Sequence, residues 1–154
     1  MANFFRKGRS KIRFLPAVAG TSPTRAEITA GTDLSPKIAA IAGFGIENAR
    51  IPTPNLAEVF TPEIDGPDET TGASALTFYD DDTTTTIRTT LAKGTAGFIL
   101  MMPYGDIPTK RAEVWPVKTT GVNDEPWSVG NDPARFIVGF AITSTPQQSA
   151  VIPA

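Results

Sequence analysis

The sequence of 154 residues fits one folded domain, and it contains neither cysteine nor histidine. These absences exclude disulfides, thiolate nucleophiles, zinc sites built from Cys or His, and imidazole acid–base catalysis. The net charge is −2, but the first 13 residues carry five basic side chains and no acidic one, while the remainder holds nine basic and 16 acidic residues. A basic arm on an acidic body favours contacts between copies at least as strongly as nucleic-acid binding. The basic residues of the arm are Arg6, Lys7, Arg9, Lys11 and Arg13.

The composition, with 13 glycines and 14 prolines, is typical of a β domain with many turns. Strands are predicted, in chain order, at residues 11–18, 25–30, 74–79, 96–102, 112–118 and 134–143, with a turn at 31–33. The apolar run 96–102 is expected to be buried on both faces. Pro116 lacks an N–H donor, so it predicts a sheet edge or a bulge. Residues 37–46 fit a strand or a short helix, because Gly43 and Gly45 oppose a longer helix.

One short helix is predicted at residues 83–93. Asp82 is a suitable N-terminal cap, and Ile87 and Leu91 lie one turn apart on one face. Gly94 marks the end of the helix. We therefore expect a mainly β fold with one flanking helix.

A long segment, residues 50–73, contains four prolines and predicts little regular structure beyond a short strand near 57–64. Segments of this kind within a compact domain usually have an interaction role. The C-terminal residues 144–154 show no periodic pattern. The basic N-terminus is not followed by the apolar run of a signal peptide, and no stretch approaches the roughly 18 apolar residues of a membrane span.

Four features admit both a chemical and a structural interpretation. The acidic run 80–82 suits a cation or helix capping, and capping is favoured because the ligand spacing of calcium loops is absent. Residues 43–45 resemble the start of a dinucleotide fingerprint, but a turn or bulge is favoured because the third glycine is missing. Trp115 and Trp127 suit stacking on sugars or bases, against core packing for the first and an interface or loop anchor for the second. Carboxylates are numerous enough for an acid–base pair, yet no pattern brings two together, so no catalytic, cofactor or metal site is predicted.

The sequence resembles the major tail proteins of siphophages, the tail tube proteins, particularly those of phages that infect actinobacteria. The resemblance lies in an ordered series of motifs. These are Ile28–Leu34 (ITAGTDL), Ile41–Phe44 (IAGF), Thr53–Leu56 (TPNL), Ala75–Asp80 (ALTFYD), Gly94–Phe98 (GTAGF), Val114–Val117 (VWPV), Phe136–Thr143 and Ile152–Ala154 (IPA).

The resemblance implies a single tail tube domain over residues 1–154, a β-sandwich or flattened barrel with one flanking helix. It implies subunits that form stacked hexameric rings around a lumen for double-stranded DNA, without enzymatic activity or cofactor. The implied partners are other copies, the tape measure, the tail terminator and baseplate or distal tail proteins, in a virion assembled from protein made in the host cytoplasm. An acidic lumen is expected, because each phosphate contact would resist sliding of DNA.

Contacts between subunits are expected from the N-terminal arm (residues 1–13), the interaction loop (50–73) and the C-terminal tail (144–154). The candidate contact residues are Arg6, Lys7, Arg9, Lys11, Arg13, Pro54, Phe60 and Ile64. The alternative is a β-sandwich decoration or baseplate module that binds carbohydrate on the host surface.

Overall fold

A computed structural model describes residues 2–154 and shows a mainly antiparallel β fold. The strands are β1 (Lys11–Leu15), β2 (Thr32–Asp33), β3 (Ile38–Ala42), β4 (Ile46–Asn48), β5 (Ile51–Pro52), β6 (Glu63–Ile64), β7 (Asp68–Thr70), β8 (Ser74–Tyr79), β9 (Ala96–Met102), β10 (Arg111–Asp124), β11 (Arg135–Ile142) and β12 (Gln147–Val151). The helices are α1 (Arg25–Ala30) and α2 (Thr86–Thr90), with one 3₁₀ turn at Ser35–Lys37.

Eight strands form one large sheet in the order β2-β1-β9-β10-β11-β8-β3, with β12 as a further partner of β10. The long strand β10 organises this sheet, because its first part pairs with β12, its last part with β11, and its centre with β9. The terminal strands β2 and β3 do not pair with each other, so the sheet curls without closing into a barrel. The predicted mainly β fold is confirmed.

The sheet buries side chains on both faces, because alternate residues of each strand point to opposite sides. The buried side chains form two cores, one larger than the other. In β9, Ile99 belongs to the larger core, together with Trp115, and the next residue, Leu100, belongs to the smaller core. The larger core lies inside the curl of the sheet and includes Leu91, which follows α2. The smaller core lies on the other face under α1 and β12. The prediction that 96–102 is buried on both faces is thus confirmed.

The segment 25–30, predicted as a strand, is helix α1. Thr24 is its N-cap and its side-chain oxygen accepts from the Glu27 backbone N–H at 3.3 Å. The pair Thr24-x-x-Glu27 is the sequence signature of a capping box, and it outweighs a period-two pattern of only six residues. Ile28 alone is buried, so the helix is a small cover on the sheet.

Other predictions differ from the structure in extent. The helix expected at 83–93 is reduced to Thr86–Thr90, because threonine is a poor helix former. Its N-cap is Thr85 rather than Asp82. The predicted turn at 31–33 contains the short strand β2, and residues 144–154 contain β12.

Pro116 lies within a central strand and not at a sheet edge. Its carbonyl accepts from the Thr143 backbone N–H at 3.0 Å, so its nitrogen points to the same side of β10. On that side the pairing with β12 ends at Val114 and the pairing with β11 begins at Val117. Pro116 therefore lies where the partner of β10 on this side changes from β12 to β11, so no strand pairing requires the missing N–H donor.

Candidate assembly surfaces

Residues 38–79 form one long hairpin whose distal half leaves the body of the domain. The pair β3–β8 belongs to the main sheet, while β4–β7 and β5–β6 continue outward as a two-stranded β-ribbon (residues 46–70). The segment 50–73 is therefore not the poorly structured loop expected from its prolines. Ten residues separate the end of β3 from the end of β5, which corresponds to about 30 Å of extended chain.

Three local features hold the two strands of the β-ribbon together. The Asn48 side-chain amide donates to the Gly66 carbonyl at 2.8 Å, and its oxygen accepts from the Gly66 N–H at 3.0 Å. A Cβ at Gly66 would lie 1.7 Å from the Ala49 carbonyl oxygen, so only glycine fits there. Farther out, Thr53 donates to the Pro62 carbonyl through both its backbone N–H and its hydroxyl.

The ribbon tip (residues 53–62) presents apolar side chains without any partner in the described chain. Leu56 and Val59 are fully exposed, and Phe60 is 78% exposed. Contiguous exposed apolar groups of this kind mark sites of protein–protein contact. The β-ribbon is also acidic, with six carboxylates against the single base Arg50.

The N-terminal segment (residues 2–10) packs beside a turn that follows β9. Phe4 contacts Tyr104 with ring centroids 5.1 Å apart, and the Arg9 guanidinium lies 5.1 Å from the Phe4 ring. The Ser10 hydroxyl donates to the Pro103 carbonyl at 2.6 Å. Phe5 projects into solvent and is 90% exposed.

A groove of about 740 Å³ lies between the N-terminal segment, β1 and the outer edge of β3, and we call it the β1–β3 groove. It marks the place where the two ends of the curled sheet approach without pairing. Ser35 bridges the gap at one point, accepting from the Ile12 N–H at 2.9 Å. Ile38 and Ile41 on β3 supply apolar surface, and Met101 lies opposite them.

The structure brings only some of the predicted contact residues together. Arg6, Lys7 and Lys11 line the β1–β3 groove. Arg9 packs on Phe4, and Arg13 lies outside the groove, where it donates to the Ile28 carbonyl at 2.9 Å.

Three predicted contact residues belong to the β-ribbon. Pro54 and Phe60 lie in the ribbon tip, and Ile64 lies opposite Ile51 in β5–β6. Because β1 begins at Lys11, residues 11–13 of the predicted arm belong to a strand of the main sheet.

Sequence reasoning missed several exposed apolar residues, because isolated apolar side chains in turn-rich segments carry no periodic signal. Those of the β-ribbon are Ile51, Leu56 and Val59. In the loop between β10 and β11, Val129 lies fully exposed near Trp127, which is 91% exposed.

The acidic run 80–82 takes part in ion pairs beside α2. Lys37 donates to Asp81 at 2.7 Å, and this contact, with help from Thr83, holds the pKa of the Asp81 carboxyl well below its ordinary value. Arg88 binds both Asp80 and Asp124, and the Asp124 carboxylate raises the pKa of the guanidinium. These contacts stabilise the α2 region, and within residues 2–154 no cluster of carboxylates fit to hold a metal is found.

Residues 43–45 and Trp115 have structural roles that follow from their positions in the fold. Residues 43–45 interrupt the strand between β3 and β4, with φ of +75° at Gly43 and +58° at Phe44, and do not form a nucleotide loop. Trp115 is fully buried, which confirms core packing. Among the described residues, no helix is both long and apolar enough to cross a membrane.

Comparison with known proteins gives a family and proteins of related fold. The family model described as phage tail tube protein matches residues 1–154. A chain from a cryo-EM structure of the anti-feeding prophage (AFP) baseplate, 6-fold symmetrised, is similar with a TM-score of 0.68 and 11% identity, covering 98% of this chain and 99% of that chain. At this identity the likeness shows a shared fold. The curated proteins contain no match in sequence.

Proposed function

Because the chain belongs to the phage tail tube protein family, we propose that it polymerises into stacked hexameric rings that form a hollow conduit for genome delivery. It is a structural tail protein and a virion component. The observation that carries the proposal is the family match over the whole chain. The 6-fold symmetry of the anti-feeding prophage baseplate, which contains a chain of the same fold, supports the ring number.

The exposed sheet edges supply a physical reason for polymerisation. The strands at the two ends of the main sheet, β2 and β3, each have only one partner in the described chain. Unpaired edges expose backbone N–H and C=O groups that readily pair with another chain. Pairing between neighbours around a ring satisfies these groups and removes the edges.

The proposed conduit has an acidic lumen and no catalytic centre. The acidic body, with 16 carboxylates outside the basic N-terminal arm, supports weak interaction with passing DNA. Salt bridges already occupy several of the carboxylates, which supports a structural role for them. An assembled tube with an electropositive bore would contradict the acidic lumen.

The finer assignments rest on the family resemblance and are proposals. The protein is proposed to come from a siphophage of the actinobacteriophage type and to be synthesised in the host cytoplasm. It is further proposed to assemble with a tape measure, a tail terminator and baseplate or distal tail proteins. Assembly with other tail components is implied by the family itself.

The test is deletion of the ribbon tip, residues 53–62, with a short glycine–serine turn in its place. Because the tip lies outside both cores, the variant is expected to fold with unchanged circular dichroism and yet to form no tubes. Tubes of normal length from this variant would refute a role for the tip in assembly. A monomer whose elution shifts with added glycan, without tubes from the intact chain, would instead support a carbohydrate-binding decoration or baseplate module.

A further inference from the structure

We propose that the ribbon tip of one copy docks into the β1–β3 groove of another copy. This inference rests on the proposed function, because it names the surface of the neighbouring subunit that receives the ribbon. It joins an exposed apolar tip to a groove that is lined by both apolar and basic side chains. It also assigns a role to the basic residues at the start of the chain.

Charge complementarity identifies the occupant of the groove. The groove is rimmed by Arg6, Lys7 and Lys11, and its one carboxylate, on Glu113, is already paired with Arg111 at 2.9 Å. The β-ribbon carries the opposite charge, with six carboxylates against one base; Glu58 lies in the tip itself, and Glu63 is paired with Arg50 at 3.5 Å. Opposite potentials across an interface favour encounter in one orientation and exclude the wrong partner.

The apolar surfaces of the groove and the tip also support this contact. Ile38 and Ile41 present apolar side chains along the unpaired edge of β3, beside the buried ring of Phe44. In the tip, Phe60 and the fully exposed Leu56 offer matching apolar groups. A ribbon laid along this edge gains apolar burial and, where its backbone meets β3, additional strand hydrogen bonds.

The geometry requires a second copy. Gly43 and Phe44, which connect β3 to the β-ribbon and form its root, line the groove themselves. The ribbon tip extends up to about 30 Å beyond them. The paired strands between root and tip prevent the ribbon from folding back, and the exposure of Phe60 shows that the tip does not occupy its own groove. Since tip and groove are different surfaces of the same chain, the contact is heterologous and propagates from copy to copy.

Disulfide trapping tests the contact directly, because the chain has no cysteine of its own. One copy carries Phe60→Cys and a second, with a tag of different length, carries Ile41→Cys. Mild oxidation of the mixture is expected to give the mixed dimer as the main product. The matched control replaces Ile41→Cys by Val129→Cys, an exposed residue outside the groove, and is expected to give only background.

Different occupants of the groove give different products and would overturn the inference. A mixed dimer between Ile41→Cys and Phe5→Cys in place of Phe60→Cys would assign the groove to the N-terminal segment. Equal yields at Ile41 and Val129 would show random collision.

Charge reversal provides a second test that needs no cross-link. Lys7→Glu with Lys11→Glu is expected to slow assembly, and Glu58→Lys in the tip is expected to restore it when combined with them. Restoration requires that the two surfaces meet, so a triple variant no faster than the double one would overturn the inference.

The two proposals fail in distinguishable ways. Tubes from the intact chain without the Phe60–Ile41 cross-link would overturn the docking site alone. The cross-link without tubes would support the docking site and refute the tube.

Discussion

Ile51 and Ile64 lie directly opposite each other in the β5–β6 pair, 46% and 54% exposed respectively. Two half-exposed isoleucines in register stabilise the outer end of a ribbon that has no core of its own. The pair lies next to the ribbon tip and holds the two strands together at its base. The proposed assembly through this tip would depend on a stiff ribbon, because a flexible one would lose more conformational entropy on docking.

The substitution Gly66→Ala is expected to disrupt assembly without unfolding the domain. The added Cβ would meet the Ala49 carbonyl oxygen at 1.7 Å, so the backbone of the β-ribbon must shift. The melting temperature, which is set by the two cores, is expected to change little, while tube formation falls sharply.

The matched control for that experiment is Gly20→Ala, since a Cβ at Gly20 has no neighbour within 4 Å. Calorimetry and light scattering on both variants separate folding from assembly. A Gly66→Ala protein that assembles at the normal rate would show that ribbon geometry is unimportant.

Acid is expected to remove the stabilisation that Asp81 provides. The Lys37 ammonium lowers the pKa of this carboxyl in the folded protein, so its contribution is complete above the unfolded pKa of about 3.9. That contribution is lost as the pH falls towards the folded pKa. Asp81→Asn should therefore destabilise the protein at pH 7, with a difference from the parent that shrinks below about pH 4.

Urea unfolding at several pH values measures this difference. Asp82→Asn is the control, because the exposed Asp82 forms no ion pair within the described residues. A difference for Asp81→Asn that stays constant down to about pH 2 would contradict the assigned cause.

The two tryptophans are expected to behave in opposite ways. Trp115 is fully buried, with its ring in a T-shaped contact with Phe44 (centroids 5.6 Å apart) and its Nε1 donating to Glu113 at 3.2 Å. Trp115→Ala should cost about 3–5 kcal/mol of unfolding free energy. Trp127→Ala should change it by no more than about 0.5 kcal/mol, because the side chain is 91% exposed.

Chemical denaturation of the two variants gives both values, and the intrinsic fluorescence of each reports the remaining tryptophan. The emission of Trp127 should lie further to the red because its ring is in water. A large loss of stability from Trp127→Ala would mean that the β10–β11 loop is packed in the monomer.

The sequence correctly predicted several strands from the pattern of apolar residues along short stretches of the chain. The segments 74–79 and 96–102 match β8 and β9, and 134–143 contains β11. The strand predicted where α1 lies was wrong, because six alternating residues fit two periods equally well and only the Thr24 cap distinguishes them.

The features that depend on tertiary structure could not be read from local patterns. Strand β12 exists because it pairs with β10, and Ile152 is buried only because α1 and β9 lie beside it. The β1–β3 groove brings Lys11 and Ile41 together although they are 30 positions apart. The Pro-rich segment was predicted to have little regular structure, because its strands pair across a separation that no short window covers.

The most direct test of the proposed tail tube is negative-stain electron microscopy of the purified full chain over a range of concentrations. We expect hollow tubes of uniform width whose end-on views show six subunits around a central bore. Monomers at every concentration, or solid filaments without a bore, would contradict the proposed assembly.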